Sequence, residues 1–265
     1  MDHTFAVMAY KDSPYLIECL ESLRNQSVQS RIYISTSTPS DFLTFIATKY
    51  GVELHTSNRG GGIAQDWNAA YQLATTKYVT LVHQDDIYLP DYLKECLRAA
   101  EKFPDTLICF TDYDEIIHGE ERKSTLMLDV KRFMLNTFLL FRKNLQSKFW
   151  KNALLSFGCP IAAPSVMFNK QMIPALQFSP EFFINVDWDA WYRLAGIKGR
   201  FVYVPKVLLR HRIHADSMTS TGLQKKLRQE EDLRIFRRFW PGLFAKAIAK
   251  VYSVSYKSNE IKREP

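Results

Sequence analysis

The sequence predicts an α/β protein: a mostly parallel central sheet with helices on both faces, followed by a C-terminal helical tail. Three observations predict it. Short apolar, β-branched runs alternate with stretches of helical spacing from residue 5 to residue 111. Several of the helical stretches open on Ser, Pro or Asp, as helix starts do. The run from Tyr78 to Val82 suits a strand buried on both faces, and it leads straight into His83-Gln84-Asp85-Asp86. Charges at the C-terminal end of such a strand lie where open α/β sheets bind ligands. Read alone, Asp86 also suits a cap for the following turn, and Asp85 a solvated acid.

In order, Phe5 to Ala9 is a short buried strand. Ser13-Pro14 reads as an N-cap with proline at the first helical position, and Leu16, Ile17, Leu20 and Leu23 share one face. Arg31 to Ser35 is the second strand. Pro39-Ser40-Asp41 opens a helix that turns Phe42, Phe45 and Ile46 inward and ends at Gly51. Val52 to His55 is the third strand. A loop from Asn58 to Gly62 precedes a helix bearing Ile63, Trp67, Ala70, Tyr71 and Ala74. The loop's glycines lack dinucleotide-fingerprint spacing. They suit close backbone approach to a phosphate, or a plain loop needing positive φ. Tyr78 to Val82 is the fourth strand. Pro90-Asp91 starts a helix with Leu93, Leu97 and Ala100 inward, and Leu107 to Thr111 is the fifth strand.

Beyond residue 111 the alternation stops. Asp112-Tyr113-Asp114-Glu115 is an acidic strand end. Residues 131–157 form one or two basic helices, with Phe133, Leu135, Phe138, Leu139, Phe141 and Leu145 as apolar surface. Ser165 to Phe168 is a strand. The stretch from Phe182 to Asp189 enters an amphipathic helix holding Trp191, Leu194 and Ala195. Phe201 to Val204 and Val207 to Arg210 are two strands. A polar, cationic segment follows, with His211 as a strand-end surface residue.

With 265 residues, 46% hydrophobic and 24% charged, the chain can bury a substantial core and is not disordered. Cys19, Cys96, Cys109 and Cys159 are scattered without a Cys-x-x-Cys pair, which reads as reduced thiols in a cytosolic protein. The N-terminus has no signal-peptide pattern, and no apolar run is long enough to span a bilayer. The net charge of +7 is uneven: residues 131–152 hold six Lys/Arg and no acid, and residues 221–265 hold eleven against five acids. These segments are either solvated helix faces or surfaces for an anionic partner. Their aromatics are spaced like core residues, which argues against nucleic acid.

Four segments stand out together. Asn58-Arg-Gly-Gly61 with Asn68 is similar to an N-x-G-G…N pattern. His83-Gln84-Asp85-Asp86 before Leu89-Pro90 is similar to a D-x-D-D…P metal motif. Asp187-Trp188-Asp189-Ala-Trp191-Tyr-Arg193 is similar to a helix start that carries a catalytic base. Arg212-Ile-His214 with Ser217 is similar to R-x-H-x-x-S. In this order they resemble an inverting family 2 glycosyltransferase of the GT-A fold, a Rossmann-like architecture. The resemblance covers residues 5 to about 220. It implies a transferase domain over 1–220, with a nucleotide-sugar half at 1–115 and an acceptor half at 116–220. A basic amphipathic helical extension follows at 221–265.

The implied reaction moves one sugar from a UDP-, TDP- or GDP-linked donor to a hydroxyl of a glycan or lipid-linked glycan, in polysaccharide biosynthesis. Asp85 and His214 would hold Mn²⁺ or Mg²⁺, with His83 and Asp86 as further candidates and a phosphate oxygen as the other partner open to His214. Ala9, Tyr10, Thr36, Ser37, Asn58, Gly61, Asn68, His83, Gln84 and Arg212 would bind the donor, Arg212 by bidentate phosphate contact. Asp187 would take the acceptor's proton in one in-line displacement, and Trp188, Asp189 and Asp112 would meet the acceptor. Without the resemblance, Asp187 also suits a helix N-cap, Asp189 an orienting or capping role, and Trp188 and Trp191 the core.

The sequence departs from the family in three places. Thr36-Ser37-Thr38 stands where an acid pair usually holds the nucleobase. His83 replaces the first acid of the metal motif; imidazole suits Mn²⁺ better than Mg²⁺, or can meet the ribose. Val186 stands where an acid precedes the base. The absence of a Q-x-x-R-W signature favours one sugar per encounter. The competing readings are a non-catalytic sugar-nucleotide or glycan-binding relative and a nucleotidyltransferase. The latter would carry a Gly-rich, basic loop where Tyr10-Lys-Asp-Ser13 stands. The expected location is the cytoplasm. Lys143, Lys148, Arg237, Arg238, Lys246 and Lys250, with Phe239, Trp240 and Phe244, are candidates to hold the enzyme at the anionic inner face of the plasma membrane.

Overall fold

The computed structural model describes residues 2–57, 62–117, 119–139, 142–214 and 222–253, with backbone alone at 222–225. The first half builds β1 (His3–Ala9), α1 (Leu16–Arg24), β2 (Arg31–Thr36), α2 (Asp41–Tyr50), β3 (Glu53–Thr56), α3 (Ile63–Leu73), β4 (Tyr78–His83), β5 (Ile87–Tyr88) and α4 (Tyr92–Glu101). The second builds β6 (Thr106–Ile117), β7 (Glu120–Arg122), α5 (Leu126–Leu139), β8 (Asn144–Leu145), α6 (Lys148–Leu155), β9 (Val166–Asn169), α7 (Val186–Ala195), β10 (Arg200–Ile213), α8 (Gly222–Phe236) and α9 (Gly242–Tyr252).

One mixed sheet runs in the order β3-β2-β1-β4-β9-β6-β10-β5, with β7 on β6 and β8 on β10. β1 to β4 are mutually parallel, as are β6 and β10, while β9 is antiparallel to both neighbours. β4 lies in the middle, and its residues 78–82 are buried, as a continuous apolar run requires. Along β1, Ala6 and Met8 join one core while Phe5, Val7 and Ala9 join the other. That alternation marks a strand covered on both faces. α1, α2 and α4 cover one face; α3 and α5 to α9 cover the other.

Some local expectations shift. Ser40 caps α2 by accepting from Leu43 N at 3.2 Å, and Gly51 ends it at φ 58°. The inward face of α2 is Leu43, Ile46, Ala47 and Tyr50, which leaves Phe45 62% exposed. Ser13 caps the turn ahead of α1, accepting from Tyr15 N, and the helix begins at Leu16. Phe133 points to solvent, whereas Leu135 and Leu139 are buried; Phe141 lies outside the described residues. The fifth strand runs on to Ile117 because residues 112–117 pair with the end of β10. The two strands expected at 201–210 are one, interrupted between Val204 and Val207, where Pro205 can donate no hydrogen bond.

Residue 115 lies inside β6, and β9 inserts between β4 and β6, so the two expected halves share one sheet. The C-terminal helices are also integrated. Glu231 of α8 accepts from the amides of Phe183, Ile184 and Asn185 at 2.8, 3.0 and 2.9 Å. Ile235 and Phe236 are fully buried. α8 thereby clamps the start of α7. No helix among the described residues is long and apolar enough to cross a membrane.

Candidate active site

The parallel strands deliver their C-terminal ends to one edge of the sheet, the usual ligand edge of such sheets. β1 ends at Ala9, which is buried, and Tyr10 follows. Gln84 accepts from Tyr10 N at 3.1 Å and donates to Tyr10 O at 2.9 Å, joining the turns after β1 and β4. At the end of β2, Thr36 is buried and accepts from Thr38 N at 3.0 Å. Ser37 follows, half-buried. Asp66 of α3 is near it: burial raises the Asp66 carboxyl, and the neighbouring Ser37 hydroxyl works against that rise. Asn58 and Gly61 lie outside the described residues, as does Ser217. Asn68 is not free for a donor. Its amide accepts from Phe178 N at 2.7 Å and donates to Phe178 O at 2.9 Å.

The end of β4 carries the charged cluster. Ligand-type atoms of His83, Asp85 and Asp86 lie within 4.8 Å of one another. Asp86 is fully buried, which overturns its reading as a simple turn cap. Its Oδ1 accepts from His211 Nδ1 at 2.8 Å and from Arg212 N at 2.9 Å. Its Oδ2, and Nε2 of His83, are buried without a hydrogen-bond partner among the described residues. Asp85 Oδ2 accepts from His214 Nε2 at 3.0 Å. Burial pushes the Asp85 carboxyl up, but that bond and the charges of His83, His211 and His214 hold it below its ordinary value. His211 is therefore tied into the cluster, though its side chain keeps 32% of its surface exposed. Burial lowers its imidazole, yet Asp86 and Asp85 win and push it up to about 9.

Arg212 is also committed. Its Nε donates to Asp85 O at 2.9 Å, its Nη2 reaches Glu18 at 2.5 Å, and its guanidinium lies 4.4 Å from the Tyr15 ring centroid. It locks the end of β10 to α1 instead of standing open for a phosphate.

Asp187 lies in the first turn of α7. Asn185 is the N-cap, so Asp187 is not. Asp187 Oδ1 accepts from Trp188 N at 2.7 Å, and Oδ2 faces the Cys159 thiol at 3.9 Å. Burial raises this carboxyl; the Trp188 amide and the charges of Lys131, Arg228 and His83 partly offset the rise.

The three expected acceptor residues are occupied by the fold. Trp188 is fully buried and donates to Leu155 O at 3.1 Å, so it has no surface for a sugar. Trp191 is likewise core. Asp189 is buried between Arg193 and Arg238, at 2.8 and 2.7 Å. Asp112 accepts from Arg132 Nε and Tyr113 N, both at 2.8 Å.

Three residues of the site carry no sequence motif. Trp67 packs its ring 5.4 Å from His83, and Tyr15 packs 5.2 Å from His214. Lys131 donates to Tyr113 Oη at 2.8 Å and pulls down the Asp187 carboxyl. In the sequence, Lys131 is one more cation in a basic run, and only the packing of α5 singles it out.

A family model described as Glycosyl transferase family 2 matches residues 4–164. The chain belongs to that family. The match includes His83 to Asp86 and ends before Asp187. The chain is 23% identical over 265 residues to an uncharacterized glycosyltransferase of Rickettsia prowazekii, covering 96% of this chain and 74% of the relative. It is 24% identical over 231 residues to an uncharacterized glycosyltransferase of Methanocaldococcus jannaschii, covering 83% and 74%. Among solved structures, it is similar to S. aureus TarS 1–349 in complex with UDP-GlcNAc, at TM-score 0.62 and 14% identity over 95% of this chain and 71% of that one. It is also similar to the mannosyltransferase PcManGT of Pyrobaculum calidifontis in complex with GDP-Man and Mn²⁺, at TM-score 0.64 and 12% identity over 97% and 72%. This family 2 glycosyltransferase has the GT-A fold.

Proposed function

We propose that the enzyme moves one sugar from a nucleotide-sugar donor to a hydroxyl of a glycan or lipid-linked glycan, with inversion. The observation that carries this reading is the His83, Asp85 and Asp86 cluster at the end of β4, with two buried polar atoms that lack hydrogen-bond partners among the described residues. Carboxylate oxygens beside an imidazole suit Mn²⁺ better than Mg²⁺. Asp85 would hold the ion, with Asp86 and His83 as the further ligands of the same cluster and His214 as Asp85's partner. A bound divalent cation supplies charge neutralisation for a departing diphosphate. Donor complexes of the two structural neighbours, with UDP-GlcNAc and GDP-Man, support a nucleotide-sugar donor.

Asp187 is the base in this reading. Its Oδ2 takes the proton of the acceptor hydroxyl as that oxygen attacks the anomeric carbon. The bond from that carbon to the diphosphate breaks, and its electron pair leaves with the diphosphate. Burial helps, because a raised carboxyl is a stronger base. At the nucleobase end, Asp66 supplies beside Ser37 the carboxylate that the Thr36-Ser37-Thr38 turn lacks. It suits the ring N–H of uracil, thymine or guanine. Polysaccharide assembly in the cytoplasm is the setting this reading favours.

The test is a thermal-shift screen of UDP, GDP, TDP and CMP with and without Mn²⁺, on the parent and on Asp85→Ala. Mn²⁺-dependent stabilisation by one diphosphate, lost in Asp85→Ala, is the expected result. Equal shifts in both proteins would remove Asp85 from the site. Donor turnover should fall at least a hundredfold in the same variant, on the order of the loss of a key charge-stabilising group.

A further inference from the structure

Helix α9 is apolar on both sides. Ala245, Ile248, Ala249 and Tyr252 turn toward the core. The opposite side carries Leu243, Ala247 and Val251 at every fourth residue, with Phe244 beside them. Leu243 is 83% exposed, Phe244 65% and Val251 75%. Lys246 and Lys250, both exposed, flank this stripe. Phe157 extends the patch: it is half-exposed and lies 5.2 Å from Trp240, whose indole donates to Ser156 O at 2.7 Å just ahead of α9. A helix with no polar face except a pair of lysines does not suit open water on its outer side.

Charge narrows the occupant. From Arg237 to Ser253 the sequence contains no Asp or Glu. A second copy packed through this face about a two-fold axis would bring the same lysines toward each other. An anionic lipid surface offers headgroup phosphates to Lys246 and Lys250 and an acyl boundary to the stripe, the pattern of an interfacial helix.

We propose that the outer face of α9, with Phe157, docks on an anionic lipid surface. This differs in detail from the set the basic runs suggest. Arg238 is tied to Asp189, Phe239 packs on Tyr192 at 5.2 Å, and Trp240 is bonded to Ser156, so these three hold α7 and α6. The contact uses none of the residues assigned to donor, metal or base, so it stands or falls separately from the proposed reaction.

The experiment is co-sedimentation of the full chain with phosphatidylcholine vesicles, with and without phosphatidylglycerol. The protein should pellet only with the anionic vesicles. Phe244→Asp, and separately the pair Lys246→Glu and Lys250→Glu, should each weaken binding about tenfold or more. Their positions are exposed, so melting temperature and donor hydrolysis in solution should match the parent. Protein that stays in the supernatant, pellets equally with neutral vesicles, or binds unchanged in both variants overturns the proposal. Light scattering adds one arm: a dimer dissolved by Phe244→Asp, without vesicle binding, would make this face a subunit contact instead. A chain that pellets as expected but turns over no donor would sink the reaction and leave the docking intact.

Discussion

Asp86 holds His211 in place: the carboxylate Oδ1 lies 2.8 Å from the imidazole Nδ1, in a pair that joins the end of β4 to the end of β10. The same oxygen takes the Arg212 amide, so one buried carboxylate fixes two successive residues of the strand. Asp86→Ala should destabilise the protein by about 2–3 kcal/mol, as expected for hydrogen bonds to a charged group. Because the folded value of His211 is raised to about 9, the share of this stabilisation that comes from the charged imidazole is complete below its unfolded value of 6.5 and is lost as pH rises through about 9. Thermal melts of parent and variant should therefore differ most on the acid side of that window and less on the alkaline side, where the Arg212 amide still bonds Asp86.

Asp187→Asn should separate binding from chemistry. Nucleotide-induced thermal shifts should persist, while transfer falls by roughly 10²–10⁴-fold. The variant should melt no lower than the parent at neutral pH. Burial raises the carboxyl, so its favourable contribution is present below the unfolded value and lost as pH rises through the folded one; at pH 7 the charge is a burden on folding. A marked drop in melting temperature would assign Asp187 to the scaffold.

Lys131→Met removes a charge that lowers the Asp187 carboxyl. The acidic limb of kcat/KM should move to higher pH, by roughly one unit or less. Nucleotide affinity should hold. An unmoved limb would mean that a different group sets it.

Trp188→Ala should act on stability and not on acceptor KM. Emptying a fully buried indole site, packed 5.0 Å from Phe236, should cost roughly 3–5 kcal/mol. Trp188→Phe should recover most of that while leaving Leu155 O without its donor. Acceptor KM measured on the Phe variant decides the point, since a sugar-stacking Trp would show there.

Periodicity made the sheet legible. Runs such as Phe5 to Ala9 and Tyr78 to Val82 admit one local structure and one burial. The acids were legible by type, and His83, Asp85 and Asp86 do converge. What stayed hidden was competition for the same polar groups. Arg212 reads as a free phosphate ligand until Glu18 and Tyr15, far away in sequence, are seen to occupy it. Asn68 and Asp189 read as open ligands for the same reason: their partners Phe178, Arg193 and Arg238 are remote or unremarkable in the sequence. The extent of β6 and β10 was hidden too, because each strand's far end is stabilised only by the other.

The single length of β10 makes it a ruler. One end is fixed where Arg200 N meets Asp105 O at 2.8 Å, and the other presents His211 and Arg212 to Asp86. Side chains alternate along a strand, so deleting one residue from the irregular stretch between Val204 and Val207 would turn the imidazole to the opposite face of the sheet. Every group of the charged cluster would still be encoded, yet the cluster would not assemble. Spacing along this strand, as much as the identity of its residues, sets whether the site exists.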